Sequence, residues 1–84
     1  MKFKMYSVKD ELTGKFMNPI FVEDNEISDS LAIRDFKTNV NRINLWKENP
    51  TDYSLYLVGK FDDETGAEST VLDKIASGRS VING

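Results

Sequence analysis

The segment YSLYLVGKF, residues 53–61, constrains the fold more than any other part of the chain. Apolar side chains occupy both alternating sets of positions in it, so an extended backbone would be apolar on both faces. The two sets are Tyr53, Leu55, Leu57 and Phe61 on one face and Tyr56 and Val58 on the other. Because a strand of this kind is covered on both sides, the pattern predicts a strand in the interior of a sheet.

Three further segments have the composition of β-strands. In residues 2–9 an extended chain places Phe3 and Met5 on one side and Tyr6 and Val8 on the other, and residues 16–22 form a second apolar run that Asn18-Pro19 interrupts. Since proline has no backbone N–H to donate, that interruption indicates an edge strand or a bulge. Residues 67–72 are the fourth candidate.

One long helix is predicted between the second and third strands. Ala32, Phe36, Val40 and Ile43 recur at helical spacing and give one apolar side. Ser28 is the best candidate for the N-cap, because a serine hydroxyl can accept a hydrogen bond from a free N–H of the first turn. The helix is therefore expected from about Ser28 to Ile43.

These elements predict an α+β fold of ββαββ order. A small antiparallel sheet of about four strands would pack on one α-helix within a single domain, residues 1–74. Residues 75–84, rich in Ser, Gly and Asn, are expected to form a short C-terminal tail.

The amino-acid composition excludes most catalytic chemistry. The 84 residues include no cysteine and no histidine, so no imidazole base, no thiolate nucleophile and no ordinary zinc site can be built. No glycine-rich phosphate-binding motif is present either. The sequence predicts a protein that is not an enzyme and that uses no cofactor and no metal.

The acidic run GKFDDETG, residues 59–66, poses a choice between a calcium loop and a tight turn. Aligning Gly66 with the glycine of an EF-hand loop places Phe61 and Leu72 at the two anchoring ligand positions, where neither side chain can bind calcium. A turn that Asp62 or Asp63 opens and Gly66 closes with a positive φ explains the same residues. The turn is the preferred interpretation.

The length and charge of the chain bear on its location and partners. No apolar run approaches the roughly 20 residues that span a bilayer, and charged residues interrupt the N-terminal segment. The chain is therefore expected in a cytoplasm and without a membrane partner. A net charge of −3 disfavours general coating of phosphates, although a local basic patch can still form.

One set of basic and aromatic residues is a candidate for contact with single-stranded DNA. Cations interleaved with aromatic rings are typical of proteins that bind single strands. The structural alternative is that the aromatic side chains are core and the lysines a solvated edge. The candidate residues are Lys2, Lys4, Arg34, Lys37 and Trp46.

A homodimer is predicted from the two apolar faces of the sheet. One helix can cover one face, with Phe3, Met5, Leu55 and Leu57 expected beneath it. The side chains expected on the far face are Tyr6, Val8, Tyr56 and Val58. Monomers rarely leave such a patch open, and two-fold symmetry is the commonest way to bury it.

Several short motifs resemble, in order and spacing, the small non-structural protein of gokushoviruses, the tailless single-stranded-DNA phages of the Microviridae. The most specific are AIRDF at 32–36 and GKFDDETG at 59–66. The others are YS at 6–7, VN at 40–41, PTDY at 50–53 and LY at 55–56. Together they extend over about three quarters of the chain.

The resemblance implies a protein made in the infected bacterium and absent from the virion. Such a protein would assist genome replication, or the switch to single-strand synthesis and packaging, with single-stranded DNA or phage replication or packaging proteins as partners. The alternative is a protein-interaction module that recruits or inhibits a phage or host protein without contacting DNA. The resemblance assigns no functional residues.

Overall fold

The computed structural model describes residues 1–83 and contains one sheet with helices on one side of it. Five strands, one long helix and two short helices form within that range, and a 3₁₀ turn, Pro50–Asp52, precedes the fourth strand. In chain order the elements are β1 Lys2–Asp10, β2 Lys15–Phe16, β3 Ile20–Glu23, α1 Ser28–Arg42, α2 Asn44–Glu48, β4 Tyr53–Asp62, β5 Glu68–Ser77 and α3 Gly78–Val81. The predicted α+β class is confirmed.

The sheet is antiparallel, and β1 and β4 are its two interior strands. Both β2 and β3 pair with the same edge of β1, so the predicted second strand is one edge segment broken in the middle. The break falls at residues 17–19, where Pro19 lacks the N–H that a continuous ladder would need. On the other side, β5 pairs with β4 and forms the second edge.

Helix α1 lies against one face of the sheet and supplies its buried side chains at helical spacing. Ala32, Phe36 and Val40 pack with Leu55 and Leu57 of β4 in the main core. The apolar period that the sequence showed therefore marks the side of α1 that faces the sheet.

Ser28 is the first residue of α1 and does not cap it, contrary to the sequence prediction. Its hydroxyl is buried and lies 2.6 Å from the carbonyl oxygen of Glu23 and 2.9 Å from that of Asn25, and the two oxygens share its single hydrogen. The backbone N–H of Asn25 in turn donates to that hydroxyl at 2.8 Å. Ser28 therefore fixes the loop that joins β3 to α1.

The expected positions of the β1 side chains relative to the sheet were wrong. Tyr6 lies opposite Leu57 and Val8 opposite Leu55, and cross-strand partners point to the same face. Tyr6 is fully buried in the core beneath α1, and Val8 packs against that core. The alternate residues, including Phe3 and Met5, consequently lie on the far face.

A bulge in β4 accompanies this register. Met5 lies opposite Gly59 and Tyr6 lies opposite Leu57, so Val58 has no partner in β1. A Cβ atom at Gly59 would lie 2.9 Å from the carbonyl oxygen of Ser69 and 2.5 Å from Cε of Met5. A side chain at this position would therefore collide with the backbone of β5, and only glycine fits.

The acidic run forms the turn between β4 and β5. Gly66 has a φ of +73°, and its N–H donates to the carbonyl oxygen of Asp62 at 2.8 Å. The Asp62 carboxylate accepts from the N–H of Glu64 at 3.0 Å, and the N–H of Asp63 donates to the carbonyl oxygen of Met1 at 3.1 Å. Asp62, Asp63 and Gly66 thus occupy the turn positions that the sequence indicated.

The C-terminal segment is part of the fold, so the expected boundary at residue 74 is not a break in the structure. β5 continues to Ser77, and Ile75, Ala76, Val81 and Ile82 pack against the core. Asn41 of α1 holds the segment through side-chain hydrogen bonds with Val81 and Asn83. The last residue of the predicted tail, Gly84, lies outside the described residues.

None of the helices formed by residues 1–83 combines the length and the apolar character that crossing a membrane requires.

Candidate functional site

The face of the sheet opposite α1 carries an aromatic and apolar surface that no helix formed by residues 1–83 covers. Strand register assigns the side chains to it, because partners across the sheet share a face. We call it the open face, and its apolar members are Phe3, Met5, Phe16, Phe21, Tyr56, Val58, Phe61 and Leu72. Several remain well exposed, Phe16 at 42%, Phe21 at 54% and Leu72 at 64%.

The aromatic side chains of the open face form two clusters near its two ends. In the first, Phe21 makes edge-to-face contacts with Phe3 and Phe61, with ring centroids 6.4 and 6.2 Å apart. In the second, Phe16 and Tyr56 meet edge to face at 5.5 Å. In each cluster an edge-strand ring reaches across β1 to a ring of β4.

An ammonium group belongs to the second cluster. The Nζ atom of Lys9 lies 5.7 Å from the ring centroid of Phe16 and 5.7 Å from that of Tyr56. Both distances are within the range of cation–π attraction. Lys9, Phe16 and Tyr56 therefore form one unit, in which two rings and a positive charge share a partly solvated surface.

A groove of about 310 Å³ crosses the open face beside this unit. Ser7 and Val58 lie along it, Phe16, Met17 and Pro19 line it on the side of β2, and Thr70, Val71 and Leu72 line it on the side of β5. The lining is almost wholly apolar, so the groove suits a flat or branched apolar group and offers little hydrogen-bonding readout.

The charged side chains of the open face are separated by sign. Glu23 lies opposite Phe3 and Glu68 lies opposite Phe61, so both acids flank the three-phenylalanine cluster. Lys9 and Lys74 lie at the other end, where Lys74 is opposite Tyr56. Glu11 lies within 3.4 Å of Lys9 and 3.8 Å of Lys74, which leaves that end with a net charge of +1.

Lys4, one of the predicted DNA contacts, lies on the α1 side of the sheet and forms ion pairs with two acidic residues there. Its Nζ atom lies 3.8 Å from Asp24 and 3.7 Å from Asp29, and its side chain is only 19% exposed. Asp29 also accepts a short hydrogen bond from the hydroxyl of Tyr6. Burial, followed by this hydrogen bond, raises the pKa of Tyr6.

Trp46, the predicted indole contact, packs against other residues of the fold. It lies in α2 and stacks on Tyr53 with ring centroids 4.8 Å apart and an interplanar angle of 16°. It packs against the core and is partly buried. Lys4 therefore lies beside the first turn of α1, whereas Trp46 lies beyond the C-terminal end of α1.

The other three predicted DNA contacts, Lys2, Arg34 and Lys37, are exposed. Lys2 lies opposite Asp62 at the end of β1, and Arg34 and Lys37 lie on the solvent side of α1. The structure therefore does not gather the five residues into one surface.

Two of the four residues predicted for a dimer interface, Tyr56 and Val58, are on the open face. Tyr6 and Val8 lie beneath α1 instead, and a contact through them would require the core to open. The sequence prediction missed Phe16, Phe21, Lys9 and Lys74. The sequence feature that could have indicated Phe16 and Phe21 is that two phenylalanines lie in the predicted edge segment 16–22. Exposed aromatic residues grouped in this way mark a binding surface more often than a solvated edge.

The comparison with known protein families agrees with a viral origin. The family model described as Phage ORF5 protein matches residues 3–81. This chain belongs to the Phage ORF5 protein family. The match includes β1 through α3, and therefore both the open face and the core beneath α1. Searches of curated proteins and of solved structures found no match.

Within this phage protein, the described residues 1–83 place no group of three acidic side chains so that they could hold a metal ion. The chemistry available on the open face is stacking, apolar burial and attraction to a negative group at the Lys9 end. It is a surface suited to binding.

Proposed function

We propose that the chain is a non-catalytic accessory protein of a gokushovirus that binds single-stranded DNA through the lysine-bearing end of its open face. It would act in the cytoplasm of the infected bacterium, outside the virion, in genome replication or in the switch to single-strand synthesis and packaging. Membership of the Phage ORF5 protein family and the gokushovirus resemblance of the motifs at 32–36 and 59–66 support this role.

The observation that carries the proposal is the unit formed by Lys9, Phe16 and Tyr56. Proteins that bind single strands stack bases on exposed aromatic rings and neutralise the backbone with neighbouring cations. Phe16 and Tyr56 present rings on a sheet surface, and the Lys9 ammonium lies 5.7 Å from both centroids. The adjacent groove offers an apolar space for the face of a base or for the methyl group of thymine.

Stacking must contribute more of the affinity than phosphate contact does. Lys9 and Lys74 are the cations at this end, and Glu11 offsets one of them. If each lysine contacted one phosphate, a plot of the logarithm of the affinity against the logarithm of the salt concentration would have a slope of only roughly −1.4. Each stacked base, by contrast, contributes about 1–3 kcal/mol.

A protein partner is the second candidate, and the apolar lining of the groove favours it. An apolar protein contact would show little dependence on salt, whereas any phosphate contact releases counterions. Salt dependence therefore separates the two candidates.

The test is fluorescence anisotropy with a labelled oligothymidylate at two salt concentrations. We expect Phe16→Ala and Tyr56→Ala each to weaken binding by about 1–3 kcal/mol, because each removes one stacking ring. Replacing Lys9 and Lys74 together by glutamine should flatten the salt slope with a smaller loss of affinity.

The matched control is the triple variant Lys2→Ala, Arg34→Ala, Lys37→Ala, which removes exposed cations outside the open face. Lys4 is left in place because its ion pairs with Asp24 and Asp29 support the fold. Unchanged binding is expected. Loss of binding in the triple variant alone would move the site to the α1 side, and a parent protein that binds no oligonucleotide at either salt concentration would overturn the proposed function.

A further inference from the structure

We infer that, without DNA, the open face packs against the open face of a second copy in an antiparallel two-fold dimer, and that single-stranded DNA and the second copy exclude each other. The inference rests on the proposed function, because it names what regulates access to the same residues. Three observations support the inference: the size of the open face, the separation of its charges by sign, and the position of Lys9, Phe16 and Tyr56 within it.

The size of the open face fits a weak, reversible dimer. Four strand positions about 4.8 Å apart and the nine residues of β1, rising about 3.3 Å each, give a face of roughly 500 Å². Two such faces bury on the order of 1,000 Å², which is near the lower limit for a specific interface. A dimer at this limit would form in a concentration-dependent way and could be displaced by a ligand.

The charges of the open face favour one orientation of two copies. Glu23 and Glu68 lie at one end of the strands, and Lys9 and Lys74 lie at the other. A two-fold axis parallel to the strands would place acids over acids. An axis across the strands places the acidic end of each copy over the basic end of the other, so only the antiparallel arrangement is complementary.

The antiparallel arrangement also matches the charges strand by strand. Rotation about an axis across the strands keeps β5 over β5, so Glu68 faces Lys74 of the partner subunit. Towards the opposite edge, Glu23 of β3 lies about one strand position, roughly 4.8 Å, to the side of Lys9 of the partner subunit, a separation that the long lysine side chain can span. Symmetry repeats each pair, giving four opposite-charge contacts around an apolar centre of the kind found in packed sheets.

DNA and the second copy would compete because they use the same groups. In the dimer, Phe16 and Tyr56 are covered, and Glu23 of the partner subunit adds a second acid beside Lys9, which already lies 3.4 Å from Glu11. A base therefore cannot reach the rings, and the positive charge that would attract a phosphate is offset. A bound oligonucleotide occupies the basic end that the partner's acids require. Binding of single-stranded DNA should therefore release monomers.

The experiment is sedimentation velocity on the whole chain over a concentration series, with and without excess oligothymidylate. We expect the parent to move from 9.6 kDa towards twice that mass as its concentration rises. Added oligonucleotide should convert dimers to complexes that contain one protein chain each.

Charge reversal tests the orientation. Glu68→Lys and Lys74→Glu, each alone, should weaken dimerisation about tenfold, because each turns two symmetric attractions into repulsions. The double variant should restore dimerisation, because it exchanges the two signs. Arg34→Glu, on the solvent side of α1, is the control and should leave dimerisation unchanged.

The outcomes separate this inference from the proposed function. A parent that stays monomeric while binding oligothymidylate would overturn the dimer and leave the proposed function intact. Oligonucleotide bound to an intact dimer would overturn the mutual exclusion. A dimer that binds no oligothymidylate would overturn the proposed function, and the exclusion with it. Failure of the double variant to dimerise would overturn the antiparallel orientation.

Discussion

The hydroxyl of Tyr6 donates a hydrogen bond to the carboxylate of Asp29 and so ties the central strand β1 to the first turn of α1. Tyr6 is fully buried, and Lys4 lies 3.7 Å from the same carboxylate. The sheet, the helix and an ion pair therefore meet at one point.

Tyr6→Phe should destabilise the fold by about 1–3 kcal/mol, because it removes a partly buried hydrogen bond to a charged acceptor while preserving the ring. Chemical denaturation followed by circular dichroism measures the change. Tyr56→Phe is the matched control, since it removes a hydroxyl from the open face, where no side-chain hydrogen bond of Tyr56 is present among the described residues. Equal losses in the two variants would contradict the anchoring role of Tyr6.

The stability of the protein should fall at alkaline pH for the same reason. The pKa of Tyr6 is raised above its ordinary value of 10.0 by burial and by the bond to Asp29. As the pH rises, Tyr6 therefore ionises in the unfolded chain before it ionises in the folded one. Its contribution to the free energy of unfolding is complete below pH 10 and is lost as the pH rises above that value. Melting temperatures between pH 8 and about pH 11 should fall more steeply for the parent than for Tyr6→Phe, which retains Lys4 and the other tyrosines.

Two glycines should respond to alanine for different reasons. Gly66→Ala should cost about 1–2 kcal/mol, because φ is +73° there although the surrounding space is open. Gly78→Ala should cost more, since the new Cβ would lie 2.3 Å from the carbonyl oxygen of Pro50. Gly66→Asn is the control and should recover much of the first loss, because asparagine tolerates the left-handed region.

Calcium should leave the melting temperature of the parent unchanged, because the segment with Gly66 is a turn whose carboxylate at Asp62 already accepts a backbone N–H. Differential scanning fluorimetry with and without calcium checks this. A rise with calcium would show that the acidic run binds the ion.

Asn41→Ala should release the C-terminal segment from α1. The Asn41 side chain donates to the carbonyl oxygen of Val81 at 3.1 Å and accepts from the N–H of Asn83 at 2.7 Å. Loss of both bonds should cost about 1–3 kcal/mol and increase hydrogen exchange across α3. Asn83→Ala keeps the backbone N–H that Asn41 accepts, so protection should be unchanged in that variant.

The sequence by itself determined the strands, the long helix α1 and most of their limits, but it did not predict α2 and ended β5 five residues early. Helical spacing of Ala32, Phe36 and Val40 fixed the position of α1, and Pro19 marked the break between β2 and β3. Gly66 marked the turn between β4 and β5. Each is a local signal, since periodicity and special backbone dihedrals act within a few residues.

Tertiary structure decided which side chains share a face. A strand with apolar residues on both sides fits a sheet in either of two orientations, and a shift of one residue exchanges them. The bulge at Val58 and the pairing of Tyr6 with Leu57 made the choice, and placed Phe3 and Met5 on the open face. Residues far apart in sequence, such as Phe16 and Tyr56, came together for the same reason: the register of long-range strand pairs depends on the packing of the whole sheet.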